Sequence, residues 1–175
     1  MSAGPTADPA DPSPLATVVL PAFDEEEALP VVLSDLAEHL GPDYEIIVVD
    51  DGSSDATSAA AERAGVRVIR HPANLGKGAA MATGAEAARG DLLVFIDADA
   101  TYPPEAIPTL VAMLDRHDIV RGERPLDSPH IPAVNRLGNR LFNRLLGSFH
   151  RLEGRDFLSG LYGMRKEAFE QLRLE

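Results

Sequence analysis

The sequence predicts an α/β fold, an open and mostly parallel sheet with helices on both faces. Three observations predict it. Apolar runs of strand length alternate with segments of helical periodicity from Ala16 to Ile96, the pattern of right-handed strand–helix–strand crossovers. Two of those runs empty into acidic clusters, Asp50-Asp51 and Asp97-Ala98-Asp99, and open α/β sheets bind their ligands at the carboxyl ends of strands. No Gly-x-Gly-x-x-Gly follows the first strand, which argues against a dinucleotide-binding dehydrogenase.

In chain order, Met1 to Pro14 is rich in Pro, Ala, Asp and Ser and has almost no bulky apolar residue. It is expected to be a disordered tail, leaving residues 15–175 as one domain. Ala16 to Leu20 is the first strand. Glu25-Glu26-Glu27 are expected in the first turn of a helix, where acids complement the helix dipole. Leu29, Val32, Leu33, Leu36 and Leu40 continue it at helical spacing, and Gly41-Pro42 ends it. Tyr44 to Val49 is a second strand, after which Ser53 or Ser54 is expected to cap a helix from Ala56 to Ala64. A strand over Val66 to Ile69, an alanine-rich helix from Ala79 to Ala88 and a buried strand over Leu93 to Ile96 follow. Pro103-Pro104-Glu105 opens a further helix with Ile107, Leu110, Val111 and Leu114 inward, and Ile119-Val120 reads as an edge strand.

Composition removes several classes of function. The 175 residues are 45% hydrophobic and 25% charged, ordinary values for a globular domain with a core. A formal net charge of −12 argues against nucleic acid as a partner. The absence of cysteine removes disulfides, thiolate metal sites and a cysteine nucleophile, and suits a reducing compartment. No apolar run reaches the roughly 18 residues of a membrane span. The N-terminus lacks the basic start and apolar centre of a signal peptide, so a cytoplasmic location is expected.

The acids carry the chemistry. Carboxylates such as Asp97 and Asp99 suit a hard divalent cation, and Mg²⁺ is usually held by one or two carboxylates plus substrate phosphates. A nucleoside diphosphate is the natural ligand, although a solvated strand-end turn would look the same in isolation. Asp50 and Asp51, adjacent and mutually repelling, point to a contact with a ribose or base, and Asp51 is assigned that role. Lys77, in Asn74-Leu75-Gly76-Lys77-Gly78, offers a cation near a phosphate, but the segment lacks the spacing and the Ser/Thr of a Walker loop.

Four segments together carry a resemblance. Val18 to Glu26, Val48 to Asp55, Asn74 to Gly78 and Phe95 to Asp99 resemble, in that order, the family 2 glycosyltransferases of the Rossmann-like GT-A fold. Within that family they are similar to the dolichyl- or polyprenyl-phosphate glycosyltransferases such as dolichol-phosphate mannose synthase. The resemblance spans Thr17 to about Arg173. It implies that Pro21, Ala22 and Glu25 line a nucleobase pocket and that Asp51 contacts the nucleoside. It implies that Asp97 and Asp99 hold Mg²⁺ or Mn²⁺ and the ribose-diphosphate, with Asp99 the principal metal ligand. Thr101 stands where mannose synthases of this type often carry glutamine, so a third protein ligand to the metal is not implied.

The resemblance also implies an acceptor side. Arg124, in Arg121-Gly122-Glu123-Arg124, matches a Gly-x-Arg segment that meets an acceptor phosphate; a surface ion pair is its plain alternative. Arg136, with Asn139, matches a second motif near that phosphate. From Ile131 to Leu152 the chain has no acid, and Arg136, Arg140 and Arg144 recur every four residues. That is a basic amphipathic helix, suited either to a membrane surface or to packing on its own domain or a partner. Asp156, in Asp156-Phe157-Leu158-Ser159-Gly160, matches an aspartate near the reacting centre. It would be the general base for a hydroxyl acceptor, whereas a lipid phosphate is already anionic and needs only cations to steer it.

The expected function is therefore metal-dependent, inverting transfer of a sugar from a nucleoside-diphosphate donor of the GDP-mannose or UDP-glucose type to a polyprenyl or dolichyl phosphate. Asp99, Asp156, Arg124 and Arg136 are the expected catalytic residues, and the enzyme is expected peripherally at the cytoplasmic face of a membrane. A hydroxyl acceptor in a polysaccharide or small metabolite stays open. So does a nucleotide-binding or truncated module, because the chain stops at Glu175, barely past the last motif.

Overall fold

The computed structural model describes residues 13–122 and 160–171. Six strands form one sheet in the order β3-β2-β1-β4-β6-β5. They are β1 (Ala16–Ala22), β2 (Tyr44–Asp50), β3 (Arg67–Arg70), β4 (Leu92–Phe95), β5 (Ile119–Arg121) and β6 (Tyr162–Arg165). β1 pairs in parallel with β2 on one side and β4 on the other, and β3 extends the parallel half beyond β2. The result is a mixed α/β sheet, parallel from β3 through β2 and β1 to β4 and antiparallel at β6 and β5.

Helices cover both faces because the buried strands are apolar on both. Val18, Leu20, Val48 and Val94 share a core with Leu29, Val32, Leu33 and Leu36 of α1 (Leu29–His39), Ala61 of α2 (Thr57–Arg63), and Ile107, Leu110 and Val111 of α4 (Ile107–Met113). The alternate residues Val19, Ile47, Val49, Leu93 and Phe95 pack on Ala80 and Ala85 of α3 (Lys77–Ala87) and on Phe169 of α5 (Lys166–Gln171). The alanines let α3 lie close to the sheet, which brings its first residue, Lys77, to the strand ends. At the opposite edge, buried Glu45 accepts hydrogen bonds from the Thr17 hydroxyl at 2.7 Å, the Arg89 N–H at 2.8 Å and the Arg89 Nε at 3.2 Å. A buried carboxylate thus satisfied ties β1 and β2 to the turn that enters β4.

Two sequence expectations are corrected. The glutamates at 25–27 precede α1, which begins at Leu29. Glu26 instead accepts the Ala56 N–H at 2.8 Å, so this acid serves the start of α2. Neither Ser53 nor Ser54 caps α2; Asp55 accepts the Thr57 N–H at 2.9 Å, while the Ser53 hydroxyl accepts the Asp24 N–H at 3.0 Å. The sheet also holds a strand that the sequence reading does not name. β6 enters antiparallel between β4 and β5, although Tyr-Gly-Met-Arg has no strand periodicity of its own. Its ladder is supplied by strands far away in sequence, so nothing local announces it. Arg124, Arg136, Asp156 and the basic stretch at 131–152 lie outside the described residues, as does the tail up to residue 12.

Candidate functional site

The strand order reverses direction at β1, where β2 lies on one side and β4 on the other, and a crevice opens at the carboxyl ends of these three strands. It is a cleft of ≈ 260 Å³ lined by Pro21 and Ala22 at the end of β1, Phe23 and Glu25 just after it, Asp51 after β2, Asn74 ahead of α3, Lys77 and Ala80 in its first turn, and Asp97, Ala98 and Asp99 after β4. Pro21, Ala22, Glu25, Asp51, Lys77, Asp97 and Asp99, singled out from the sequence, therefore share one cavity. Phe23, Asn74, Ala80 and Ala98 line it too. Phe23 falls inside the Val18 to Glu26 segment, but the sequence reading does not single it out; in the structure it is 45% exposed at the strand end.

The two aspartates after β2 divide their work. Asp50 is wholly buried and holds the turn: it accepts the Ser53 N–H at 2.8 Å and the Ser58 hydroxyl, with Arg70 Nε at 3.6 Å. Asp51, also buried, accepts the Leu75 N–H at 2.9 Å and the Gly76 N–H at 2.8 Å, and pairs with His71. Burial alone would push both carboxyls up. For Asp50 the hydrogen bonds from Ser53 and Ser58 and the Arg70 charge outweigh it, and for Asp51 those from Leu75, His71 and Gly76, so both sit below the ordinary range.

A folded-state pKa below the unfolded value means that the unfolded chain takes up protons first. The stabilisation from these two carboxylates is then complete above about pH 5 and drains away as pH falls through the unfolded-state value towards their lower folded-state values. Urea unfolding from pH 7 to pH 3 is expected to show little loss from this source down to pH 5 and a steep loss below pH 4. Asp50→Asn should be less stable at pH 7 and decline less steeply in acid.

The Asp97-Ala98-Asp99 corner is held differently. Asp97 forms an ion pair with Lys77, and the backbone of Gly160 lies against its carboxylate so closely that any Cβ there would overlap it. Gly160 is seated by its N–H, which donates to the buried Tyr102 hydroxyl. Asp99 is exposed and accepts the Thr101 N–H at 3.1 Å and the Thr101 hydroxyl at 2.6 Å. Between them Ala100 has φ 58, a left-handed conformation that an alanine adopts only under local constraint.

The field in the cleft is negative. Glu25 is raised above its ordinary value, first by burial and then by Asp99, Asp55 and Asp97. Lys77 is the one basic residue lining the cleft among the described residues. An anionic nucleotide entering alone would meet repulsion, whereas an oxygen-only pair of carboxylates without a third protein ligand is what a hard cation shared with phosphates requires. Among the described residues no group of three His, Cys, Asp or Glu could hold a metal by itself. The donor set fits Mg²⁺ or Mn²⁺ bound together with a diphosphate.

Comparison with known proteins shows what the chain is similar to. The family model for glycosyl transferase family 2 matches residues 17–173. A Mycobacterium tuberculosis protein described as an uncharacterized glycosyltransferase is 37% identical over 158 residues, covering 89% of this chain and 70% of that protein. The undecaprenyl-phosphate 4-deoxy-4-formamido-L-arabinose transferase of Enterobacter sp. is 38% identical over 142 residues, 75% of this chain and 43% of that protein. Among solved structures, glucosyl-3-phosphoglycerate synthase from M. tuberculosis with Mn²⁺ and uridine-diphosphate-glucose superposes with a TM-score of 0.71 at 29% identity, over 87% of this chain and 56% of that one. Its complex with phosphoglyceric acid gives a TM-score of 0.72 at 28% identity, over 87% of this chain and 57% of that one. The present chain thus spans little more than half of the synthase. The chain belongs to glycosyl transferase family 2 and has the GT-A fold.

Proposed function

We propose that this domain transfers a sugar, with inversion, from a nucleoside-diphosphate donor to a polyprenyl or dolichyl phosphate. The observation that carries the donor half is the single cleft in which Asp97, Asp99 and Lys77 meet the ends of β1 and β2. Pro21, Ala22 and Glu25 would wall the base, Asp51 would secure the nucleoside side, and Lys77 would leave Asp97 to meet a phosphate. A Mg²⁺ or Mn²⁺ held by Asp99 and Asp97 would stabilise the departing diphosphate as a Lewis acid. In one displacement, an acceptor phosphate oxygen forms the new bond to the anomeric carbon as the bond to the diphosphate oxygen breaks. No covalent enzyme intermediate is needed, and the acceptor phosphate, already anionic at neutral pH, needs no base. Arg124 and Arg136 would steer it.

The acceptor assignment is supported by the enterobacterial relative, whose name specifies undecaprenyl phosphate. Among the described residues no helix is long and apolar enough to cross a membrane. In this reading the basic sequence at 131–152, rich in arginine and free of acids, is what would meet the cytoplasmic face of a membrane. A second reading is favoured by the synthase complexes with phosphoglyceric acid: a small phosphorylated acceptor attacking through a hydroxyl, with Asp156 as its base.

The test is transfer of labelled sugar from GDP-mannose and from UDP-glucose, each offered to a short polyprenyl phosphate in detergent and to 3-phosphoglycerate, with Mg²⁺ or Mn²⁺ and with chelator. Cation-dependent lipid product is the expected result. Product on phosphoglycerate alone would select the second reading, and lipid product undiminished by chelator would overturn the metal-dependent mechanism.

A further inference from the structure

Beside the cleft, but not among its lining residues, is a buried polar side chain that the proposed chemistry leaves unused. His71 is 7% exposed and follows the last residue of β3. Its N–H donates to the Asp50 carbonyl at 2.8 Å, extending by one step the register in which Asp50 opposes Arg70. The side chains of Asp51 and His71 are therefore neighbours at adjacent strand ends. His71 Nδ1 lies 2.7 Å from Asp51 Oδ1, and Nε2 lies 2.9 Å from the Thr83 hydroxyl on α3.

An ionised carboxylate can only accept, so Nδ1 carries the proton, and in the neutral ring Nε2 accepts from Thr83. The imidazole thus joins the end of β2 to α3. The same Asp51 carboxylate accepts the Leu75 and Gly76 amides, so the segment from 71 to 76 is fastened to one side chain at both ends. That segment carries Asn74 and leads directly into Lys77, and both line the cleft.

We propose that His71 is a positioning residue for donor binding: by fixing the Asp51 carboxylate, it holds the Asn74–Lys77 wall of the cleft in place. This rests on the nucleoside-diphosphate reading of the cleft. Removing the imidazole strips a buried carboxylate of one charged-group hydrogen bond and frees Asp51 to rotate, loosening the wall without removing any group that touches the donor.

The test is calorimetric binding of UDP and of GDP, each with Mn²⁺, to the parent and to His71→Ala, His71→Asn and Thr83→Val, alongside amide exchange at Leu75 and Gly76 in the free proteins. His71→Ala is expected to bind nucleotide about ten-fold more weakly and to exchange both amides faster. His71→Asn, whose side-chain N–H can replace the Nδ1 donor, is expected to recover most of the affinity. A role confined to stability would lower the melting temperature of His71→Ala and leave affinity unchanged well below it. Parent-like affinity in folded His71→Ala overturns the proposal. Where that variant does not fold, unchanged affinity and exchange in Thr83→Val overturn it instead. Failure of the parent to bind either nucleotide would overturn the donor reading itself.

Discussion

Asp99→Asn is expected to lower sugar transfer by about three orders of magnitude and to weaken Mn²⁺ binding, while the fold survives. Asparagine is the informative replacement. Its side-chain oxygen still accepts the Thr101 N–H and hydroxyl, the two bonds that close the turn around Ala100, so only the charge is removed. Asp99 is exposed and packs in no core, and its loss should cost no more than about 1 kcal/mol of stability. Asp97→Asn is less clean, because it also leaves Lys77 without its partner beneath Gly160. Steady-state transfer and Mn²⁺ titration of both variants would check the prediction. Half of the parent turnover in Asp99→Asn with the same Mn²⁺ dependence would remove Asp99 from the mechanism.

Gly52→Ala is expected to cause the largest loss of stability of any alanine substitution in the site, about 3 kcal/mol or more. Gly52 has φ +76, and a Cβ on it would lie 2.7 Å from the Asn74 nitrogen and nearer still to the Ala73 carbonyl carbon. Those are backbone atoms, so relief requires moving the segment whose Leu75 and Gly76 amides are held by Asp51. Gly65 is the control. Its φ is +74, but nothing lies within 4 Å of the Cβ it would gain, so Gly65→Ala carries only the left-handed backbone term of about 1–2 kcal/mol. Urea unfolding of the two variants separates conformational strain from collision. Equal losses would mean that the 73–76 segment is not packed on the turn as described. Nucleotide binding should fall in Gly52→Ala alone.

Much of the fold was legible because its strongest signals are local. The apolar runs of β1, β2 and β4, the spacing of Leu29, Val32, Leu33 and Leu36, and the acids that stop two strands all lie within short windows, and each reports burial or its end. The convergence of these residues on one cleft was legible for the same reason: parallel strands align their carboxyl ends, so residues at the ends of β1, β2 and β4 must meet. Other features had no local mark. β6 exists because β4 and β5 offer it partners, and Glu26 serves α2 rather than α1 because the chain before α1 passes the start of α2. His71 stands in a turn-like sequence, and only the pairing of β2 with β3 sets it beside Asp51.

By itself the sequence determined the class of fold, the identity of the acids at the strand ends and the family to which the chain belongs, since periodicity and strand-end chemistry are written in consecutive residues. The tertiary structure decided how equivalent-looking residues divide. It made Asp50 a structural anchor and Asp51 the clasp of a loop, bound Lys77 to Asp97, pressed Gly160 onto that carboxylate and left Asp99 open to solvent. The physical reason is that the role of a carboxylate depends on which donors reach it and how much water it keeps, and the donors here arrive from segments distant in sequence.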